Sequence, residues 1–224
     1  MTRKIGLIPG TGSQGQGIAL RLALAGYDIL IGSRKEEKAK KVAKELNTIL
    51  EKEKIQATVN ENIAQKCDLI FIILPYEFLE ETLKPLREIF QEGTIIVDVV
   101  VPLAFDKGLA YIPDDVPKKS ASELIEQILP KNIAIVGAFK TISAITLRKI
   151  NQPMEIDLFL TSNNQEAKNE VKEILEKIPG IRGLDAGPLW VSRTIERMTA
   201  LVINLNKRNK ELEHASFRVI SSNK

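Results

Sequence analysis

One cysteine, one histidine and one tryptophan among 224 residues exclude several kinds of chemistry at the outset. Cys67 alone cannot close an internal disulfide, so a reducing, cytoplasmic setting is expected. Its place just before an apolar strand predicts a small buried thiol rather than a reactive one. The solitary histidine, His214, lies in the polar tail and reads as an incidental surface residue. With no HxxxH, no CxxC and no constellation of carboxylates, no metal site is expected. Charge of one sign is lacking too. The 32 basic and 29 acidic residues give a net +3, spread along the chain, so nucleic-acid binding is not expected. No long uncharged run occurs, and Met1-Thr2-Arg3-Lys4 leads into a strand too short for a signal peptide's apolar core. Neither export nor membrane spanning is expected.

What the chain does contain begins at Lys4-Ile5-Gly6-Leu7-Ile8-Pro9-Gly10-Thr11-Gly12-Ser13-Gln14-Gly15. An apolar strand runs into a glycine turn, and a helix-like pattern, Ile18-Ala19-Leu20-Leu22-Ala23-Leu24, follows. Gly10, Gly12 and Gly15 form a GxGxxG in which the first glycine permits the tight turn. The second lets a pyrophosphate approach the backbone, and the third lets helix and strand pack closely. The helix start would then present free N–H groups and a positive dipole end to phosphate. Asp28-Ile29-Leu30-Ile31-Gly32-Ser33-Arg34-Lys35 reads as the second strand. It ends roughly twenty residues after the glycines, where an NAD enzyme places an acidic residue for the ribose hydroxyl. Here Ser33 and Arg34 stand, with Lys35 next and Lys38 one helical turn on. A hydroxyl, a guanidinium and an ammonium suit a dianionic 2'-phosphate, which a carboxylate would repel. NADP is therefore the expected dinucleotide. The other reading of Arg34, Lys35 and Lys38 is a solvated helix start; for Arg34 it leaves a cation opposing the helix dipole, while for Lys35 and Lys38 both readings stand.

The remaining pattern is α/β. A helix over Glu36–Lys54, a short strand at Ala57–Val59 and a turn over Glu61–Lys66 capped by Asn60 come first. A continuous apolar strand, Asp68–Leu74, carries the mark of burial on both faces. A helix over Tyr76–Phe90 and a strand over Thr94–Val101 follow, and 102–119 reads as loop. Ser120 or Ser122 caps the next helix, to Leu129. Then come a strand at Ile133–Phe139, a helix over Lys140–Ile150, a strand at Ile156–Thr161 and a helix over Asn164–Ile178. A short strand at Arg182–Asp185 precedes an apolar helix from Leu189 to about Leu205, and Phe217–Ile220 is a candidate edge strand. Alternating strands and helices predict a Rossmann-type doubly wound parallel sheet with right-handed crossovers. Residues 1–150 would form the NADP-binding domain, and 151–224 a small C-terminal α/β domain.

Ligands in such sheets bind beyond the carboxyl ends of the strands. Those ends are the Gly10 turn, Ser33-Arg34, Leu74-Pro75-Tyr76, Val101-Pro102 and Ala138-Phe139-Lys140. The first two would hold phosphates, and Leu74, Val101 and Ala138 would line the nicotinamide end with apolar groups, unless Leu74 and Val101 are ordinary core at strand ends. No catalytic acid or base is apparent. Oxidising an alcohol needs a base for the hydroxyl proton, whereas hydride transfer between two ring cofactors needs chiefly stacking and close approach. Lys140 is a candidate acid or anion clamp on the acceptor side, or a solvated residue at a strand-to-helix junction.

The stretch from Gly10 to Gly26 resembles the archaeal and actinobacterial NADPH-dependent reductases of the deazaflavin coenzyme F(420). So do Ile31-Gly32-Ser33-Arg34-Lys35-Glu36-Glu37-Lys38-Ala39, Leu74-Pro75-Tyr76-Glu77, Val101-Pro102 and Leu184-Asp185-Ala186-Gly187-Pro188-Leu189 followed by Ser192-Arg193. The resemblance spans nearly the whole chain. It implies a Rossmann domain with a small C-terminal domain closing the cleft, a homodimer, and the deazaflavin stacked over the nicotinamide as co-substrate. Carried over by position, it implies that Thr11, Gly12, Ser13 and Gln14 meet the pyrophosphate and that Ser33, Arg34 and Lys38 meet the 2'-phosphate. Leu74, Phe78, Val101, Ala138 and Ala144 would surround the two rings. Pro9 departs from the family, replacing a glycine that many relatives carry. Lys140 and Ser143 stand where many relatives place a histidine and a proline, in the segment that faces the acceptor. Two alternatives remain at this point: an NADPH-dependent reductase of another acceptor (a flavin, a ferric chelate, or a small carbonyl or imine), and a non-catalytic NADP-sensing module.

Overall fold

Strands and helices alternate as expected, and a computed structural model, which describes residues 3–222, places them around one mixed eight-stranded sheet. The strands are β1 (Ile5–Ile8), β2 (Ile29–Ser33), β3 (Ile55–Val59), β4 (Leu69–Ile72), β5 (Ile95–Asp98), β6 (Ala104–Asp106), β7 (Leu109–Tyr111), β8 (Ala134–Gly137), β9 (Ile156–Thr161) and β10 (Ile181–Gly187). The helices are α1 (Ser13–Leu24), α2 (Glu36–Leu50), α3 (Asn60–Lys66), α4 (Leu79–Leu86), α5 (Ala121–Ile128), α6 (Ala144–Arg148), α7 (Gln165–Glu176) and α8 (Ser192–Arg208). The sheet order is β10-β9-β8-β5-β4-β1-β2-β3. Its parallel part, read from β3 through β2, β1, β4 and β5 to β8, has the order of a dinucleotide-binding fold, whose switch point lies between β1 and β4. Segment 151–224 adds β9 and β10, which are parallel to each other. They join the rest through one antiparallel pair, Gly137 with Thr161.

Strands buried on both faces must be apolar at every position, and the Leu69-Ile70-Phe71-Ile72 run shows how the two faces divide. Leu69 and Phe71 join Leu7, Ile18, Ile31 and Val97 in a core with α1, α2 and α7. Ile70 and Ile72 join Ile8, Ile63, Leu83, Ile96 and Ile125 in a second core with α3, α4 and α5. Cys67 belongs to the second core, and burial pushes its thiol up to about 11, as an inert core thiol should behave.

Several elements differ from the sequence pattern for local reasons. The fifth strand stops at Asp98 rather than Val101, because the Asp98 carboxylate accepts the Val100 N–H at 2.8 Å and turns the chain out of the ladder. The stretch 102–119 holds the hairpin β6–β7, whose turn places Lys107 and Gly108 at positive φ. That geometry matches the twist of two paired strands. The expected helix over Tyr76–Phe90 is a 3-10 turn, Tyr76–Phe78, followed by α4. Lys140 to Ser143 is not helical. Phe139 sits at φ 55, and Ser143 starts α6 by accepting the Ile145 N–H. Ser120, not Ser122, caps α5. Asn60 caps nothing; it is the first residue of α3, and Val59 precedes it without a side-chain cap. Phe217–Ile220 is not a strand. The Asp157 N–H donates to Phe217 O at 3.0 Å, but the Asp157 carboxylate takes the Val219 N–H in place of a ladder bond.

Candidate active site

The glycine turn is the best-defined part of the site. A Cβ on Gly10 would stand 2.5 Å from the Ile31 Cβ, and one on Gly15 would stand 2.9 Å from Gly10 O. Both glycines are therefore required by protein packing alone. A Cβ on Gly12 would meet no protein atom within 4 Å, so nothing in the chain itself accounts for glycine there. The open space leaves the backbone there accessible to close approach, as a dinucleotide-binding turn requires. Gly12 caps α1 in extended conformation without a side-chain bond. The first intrahelical bond runs from Gln16 N to Gly12 O at 2.9 Å, which leaves the amides of Ser13, Gln14 and Gly15 at the open helix end. Gln16 Nε2 donates to Thr11 O at 2.9 Å and Gln14 Nε2 to Phe139 O at 3.3 Å. The turn is thus held from both sides.

Two adjoining cavities flank this turn and share Leu74 and Pro75. One, of about 520 Å3, is lined by Thr11, Ser33, Arg34, Lys38, Asn60 and Phe78, among others. Ser33 is buried, and its hydroxyl accepts the Lys35 N–H at 3.2 Å. Arg34, Lys35 and Lys38 make no ion pair with a carboxylate among the described residues, whereas nearby Lys40 pairs with both Glu36 and Glu37. Three unpaired cations facing one cavity beside a helix start fit a dianion.

The other cavity, of about 540 Å3, runs over the carboxyl ends of β4, β5 and β8. Gly12, Ser13, Gln14, Gly15, Leu74, Val101, Lys140 and Ala144 line it, with Ile142 and Leu103. Apolar walls of this kind suit flat ring systems. Three expected positions lie elsewhere, and one of them, Phe78, lines the first cavity beside the cations. Gly10 packs beneath the turn, and Ala138 is sealed in the core, with its N–H on Asp98 O at 3.0 Å. His214 is not an incidental surface residue. With Ala215 it lines this cavity, since the tail folds back and the Ala215 N–H donates to Asn206 Oδ1 at 2.8 Å.

Lys140 is the largest departure from the sequence reading. Its side chain is neither solvated nor directed at an acceptor. The ammonium donates to Asp98 Oδ2 at 2.6 Å, Val100 O at 2.6 Å and Glu196 Oε1 at 3.1 Å, which uses all three of its donors. Burial alone would lower its pKa, but the two carboxylates raise it above the ordinary lysine value. Ser122 donates to the same Asp98 oxygen, Ala121 N–H to Glu196 Oε1, and Thr199 Oγ1 to Lys140 O. Burial pushes Glu196 up to about 7 against the pull of Lys140, with Asp98 adding to the rise. This network ties α8 to the strand ends that form the cavity wall. One signal for it was present in the sequence: Asp98 is a lone carboxylate inside an apolar run. Its partners, far away in sequence, left none.

The α1 helix is anchored in a similar way. Arg21 is buried and donates to Leu147 O, Gln152 O and Lys149 O at 2.9, 2.8 and 2.6 Å, which caps the carboxyl end of α6. A Cβ on Gly17 would stand 2.5 Å from the Leu147 Cβ. The close crossing of α1 and α6 fixes where Ala144 enters the cavity.

A sequence profile described as NADP oxidoreductase, coenzyme F(420)-dependent, matches residues 4–102. The chain is 38% identical over 216 residues to the F(420)-dependent NADP reductase of Methanocaldococcus jannaschii, covering 92% of this chain and 94% of that protein. It is 35% identical over 222 residues to the F(420)-dependent NADP reductase of Methanothermobacter marburgensis, covering 96% and 97%. A crystal structure from an Arthrobacter species, provisionally assigned as an F(420)-dependent NADP reductase, superposes with a TM-score of 0.79 at 20% identity, over 98% of this chain and 100% of that one. That last likeness concerns the fold. Identity at this level over nearly the whole length, joined to the glycine turn and the unpaired cations, places this chain in the family of coenzyme F(420)-dependent NADP oxidoreductases.

Proposed function

We propose that the chain transfers a hydride between NADP(H) and the deazaflavin coenzyme F(420), in the cytoplasm. The observation that carries this reading is the open space at Gly12 beside a cation cluster that no carboxylate among the described residues satisfies. Thr11, Gly12, Ser13 and Gln14 hold the pyrophosphate, with Gly10 and Gly15 shaping the turn. Ser33, Arg34 and Lys38 hold the 2'-phosphate. Leu74, Val101 and Ala144 flank the rings, Phe78 stands in the adjoining cavity beside the cations, and Ala138 supports the ring wall from the core.

When bound, the two ring cofactors supply the redox chemistry, and the chain's part is to align them and exclude water. No side chain is assigned as a catalytic acid or base. Residues 1–150 act as the NADP-binding unit, while 151–224 close the cleft through α8 and the returning tail.

A homodimer is supported by exposed apolar side chains on neighbouring elements. Phe105, Leu109 and Tyr111 lie on β6–β7, and Leu201 and Leu205 lie on α8. Asn204 of α8 bonds Ala110 of β7 through both its N–H and C=O, which joins the two elements. Exposed apolar side chains grouped on elements in contact are what an interaction surface presents. Light scattering should give twice the chain mass, and Leu201→Glu should give a monomer. Among the described residues no helix is long and apolar enough to cross a membrane.

Anaerobic mixing of the protein with NADPH and oxidised F(420), followed at the deazaflavin's visible absorbance, tests the central reading. Rapid bleaching that NADH does not match is the expected result. Tight NADPH binding without bleaching would keep the dinucleotide site and exclude this acceptor.

A further inference from the structure

We infer that His214 binds the hydride acceptor, and that the C-terminal tail is a strap which carries it onto the cleft. The inference rests on the acceptor reading above. It starts from the face of α8. Thr199, Val202, Ile203 and Asn206 stand at i, i+3, i+4 and i+7, so one helical face walls the cavity that runs over the ends of β4, β5 and β8. That wall lies outside the glycine turn and strand ends that take a dinucleotide. The chain leaves α8 after Arg208 and returns, and His214 and Ala215 extend the wall.

The tail is seated rather than loose. His214 to Phe217 are partly buried, while Glu211 to Glu213 before them and Arg218 to Ile220 after them are exposed. The Ala215 N–H donates to Asn206 Oδ1 at 2.8 Å, near the end of α8. Asp157 of β9 then fixes the far side. Its N–H donates to Phe217 O at 3.0 Å, and its buried carboxylate accepts the Val219 N–H at 2.6 Å. Arg182 donates to both oxygens of that carboxylate at 2.8 and 2.6 Å and to Val219 O at 2.7 Å. Asp157 is thus a positioning residue for the strap.

Two side chains on this wall keep polar groups without a protein partner. The bond from Ala215 fixes the Asn206 amide with its oxygen toward the tail, so its free end is the nitrogen, a donor. Neither that nitrogen nor either ring nitrogen of His214 is sealed in the protein, and none of them bonds to a described residue. His214 also sits at φ 56, a left-handed conformation that glycine adopts freely and histidine tolerates. Turning the chain here needs no imidazole. N–H donors in a cavity walled by Leu74, Val101, Leu103 and Ile142 suit a flat ring that carries oxygen acceptors. The carbonyl edge of a deazaflavin is such a group.

Fluorescence titration of oxidised F(420) and calorimetric titration of NADPH, both on the intact protein, test this. His214→Ala should weaken F(420) binding by about three- to tenfold, the scale of one hydrogen bond, and change NADPH binding by less than about twofold. His214→Gly removes the side chain yet suits the backbone angle. It should weaken F(420) equally without lowering the thermal midpoint. Asp157→Asn should weaken F(420) more than NADPH and speed tryptic cleavage after Arg218, and F(420) should slow that cleavage in the wild-type protein. Full F(420) affinity in either His214 variant would overturn the inference, as would equal losses for F(420) and NADPH. Faster cleavage in Asp157→Asn with F(420) affinity intact would overturn the strap. Wild-type protein that binds NADPH but not F(420) would overturn the acceptor reading itself. If the wild type binds F(420) and the His214 variants match it, only the role of His214 fails.

Discussion

Lys140 Nζ lies 2.6 Å from Asp98 Oδ2, and neither side chain reaches solvent. Glu196 Oε1 completes the group at 3.1 Å, and its other oxygen, Oε2, is buried without a partner among the described residues. Two carboxylates thus share one ammonium at the carboxyl end of the sheet. Removing one member of such a group leaves uncompensated buried charge. Lys140→Met should therefore cost about 3–5 kcal/mol at neutral pH, and the loss should shrink in acid as Glu196, already pushed up by burial, takes up a proton. Urea unfolding of both proteins at pH 5 and pH 7.5 measures it. A loss below about 1 kcal/mol at both values would mean that the network contributes little.

Glu196 carries a separate pH prediction. Its folded pKa is pushed up to about 7 from an ordinary 4.5, mainly by burial. The folded state therefore binds more protons than the unfolded chain between those values, and stability contributed by this group falls as pH rises through that window. A rise of this size corresponds to about 3 kcal/mol. Asp157 and Asp185 are held below the ordinary range, mainly by hydrogen bonds from Arg182 and Lys168. Their contribution is lost only in more acidic solution, so the windows separate. Glu196→Gln should flatten the stability profile between pH 4.5 and 7. A profile with the wild-type slope would place the titration elsewhere.

The 2'-phosphate assignment is tested at Arg34. Its guanidinium is exposed and free of carboxylate partners among the described residues, so its removal disturbs no internal network. Arg34→Ala should weaken NADPH by about 1–3 kcal/mol, the scale of a charge-assisted contact. NADH should change little, and the difference should narrow at high salt. Equal losses for both cofactors in titration would remove Arg34 from the 2'-phosphate.

How much of this was legible beforehand depends on distance along the chain. The glycine turn, the Ser33-Arg34 strand end and the two-faced strands were readable because each is a local pattern of residue type and period. The Asp98 turn was hidden because a side-chain bond to the Val100 amide ended a strand that propensity would have continued. Lys140 was misread because its partners lie on β5 and α8, which no spacing in the sequence brings together. His214 was misread because tail polarity says nothing of a chain that folds back on the cleft. The hairpin β6–β7 left a faint signal in Asp106-Lys107-Gly108, a turn sequence between strands too short to show alternation.

Two glycines of the same motif should respond oppositely to the same substitution. At Gly15 the new methyl would press on the Gly10 backbone at 2.9 Å, and backbone in a supported turn yields poorly. Gly15→Ala should therefore lose about 1–3 kcal/mol of stability from overpacking, less whatever alanine recovers inside a helix. At Gly12 the methyl would enter open space at φ −79 and ψ 167, angles that alanine accepts. Gly12→Ala should change stability by less than about 1 kcal/mol, the scale of a weaker helix cap. If the proposed site is right, it should nonetheless weaken NADPH by at least about tenfold, because the methyl would occupy the position assigned to the pyrophosphate. Thermal melts and NADPH titration on the two variants read these effects separately. Full NADPH affinity in Gly12→Ala would mean that the space above Gly12 does not hold the pyrophosphate.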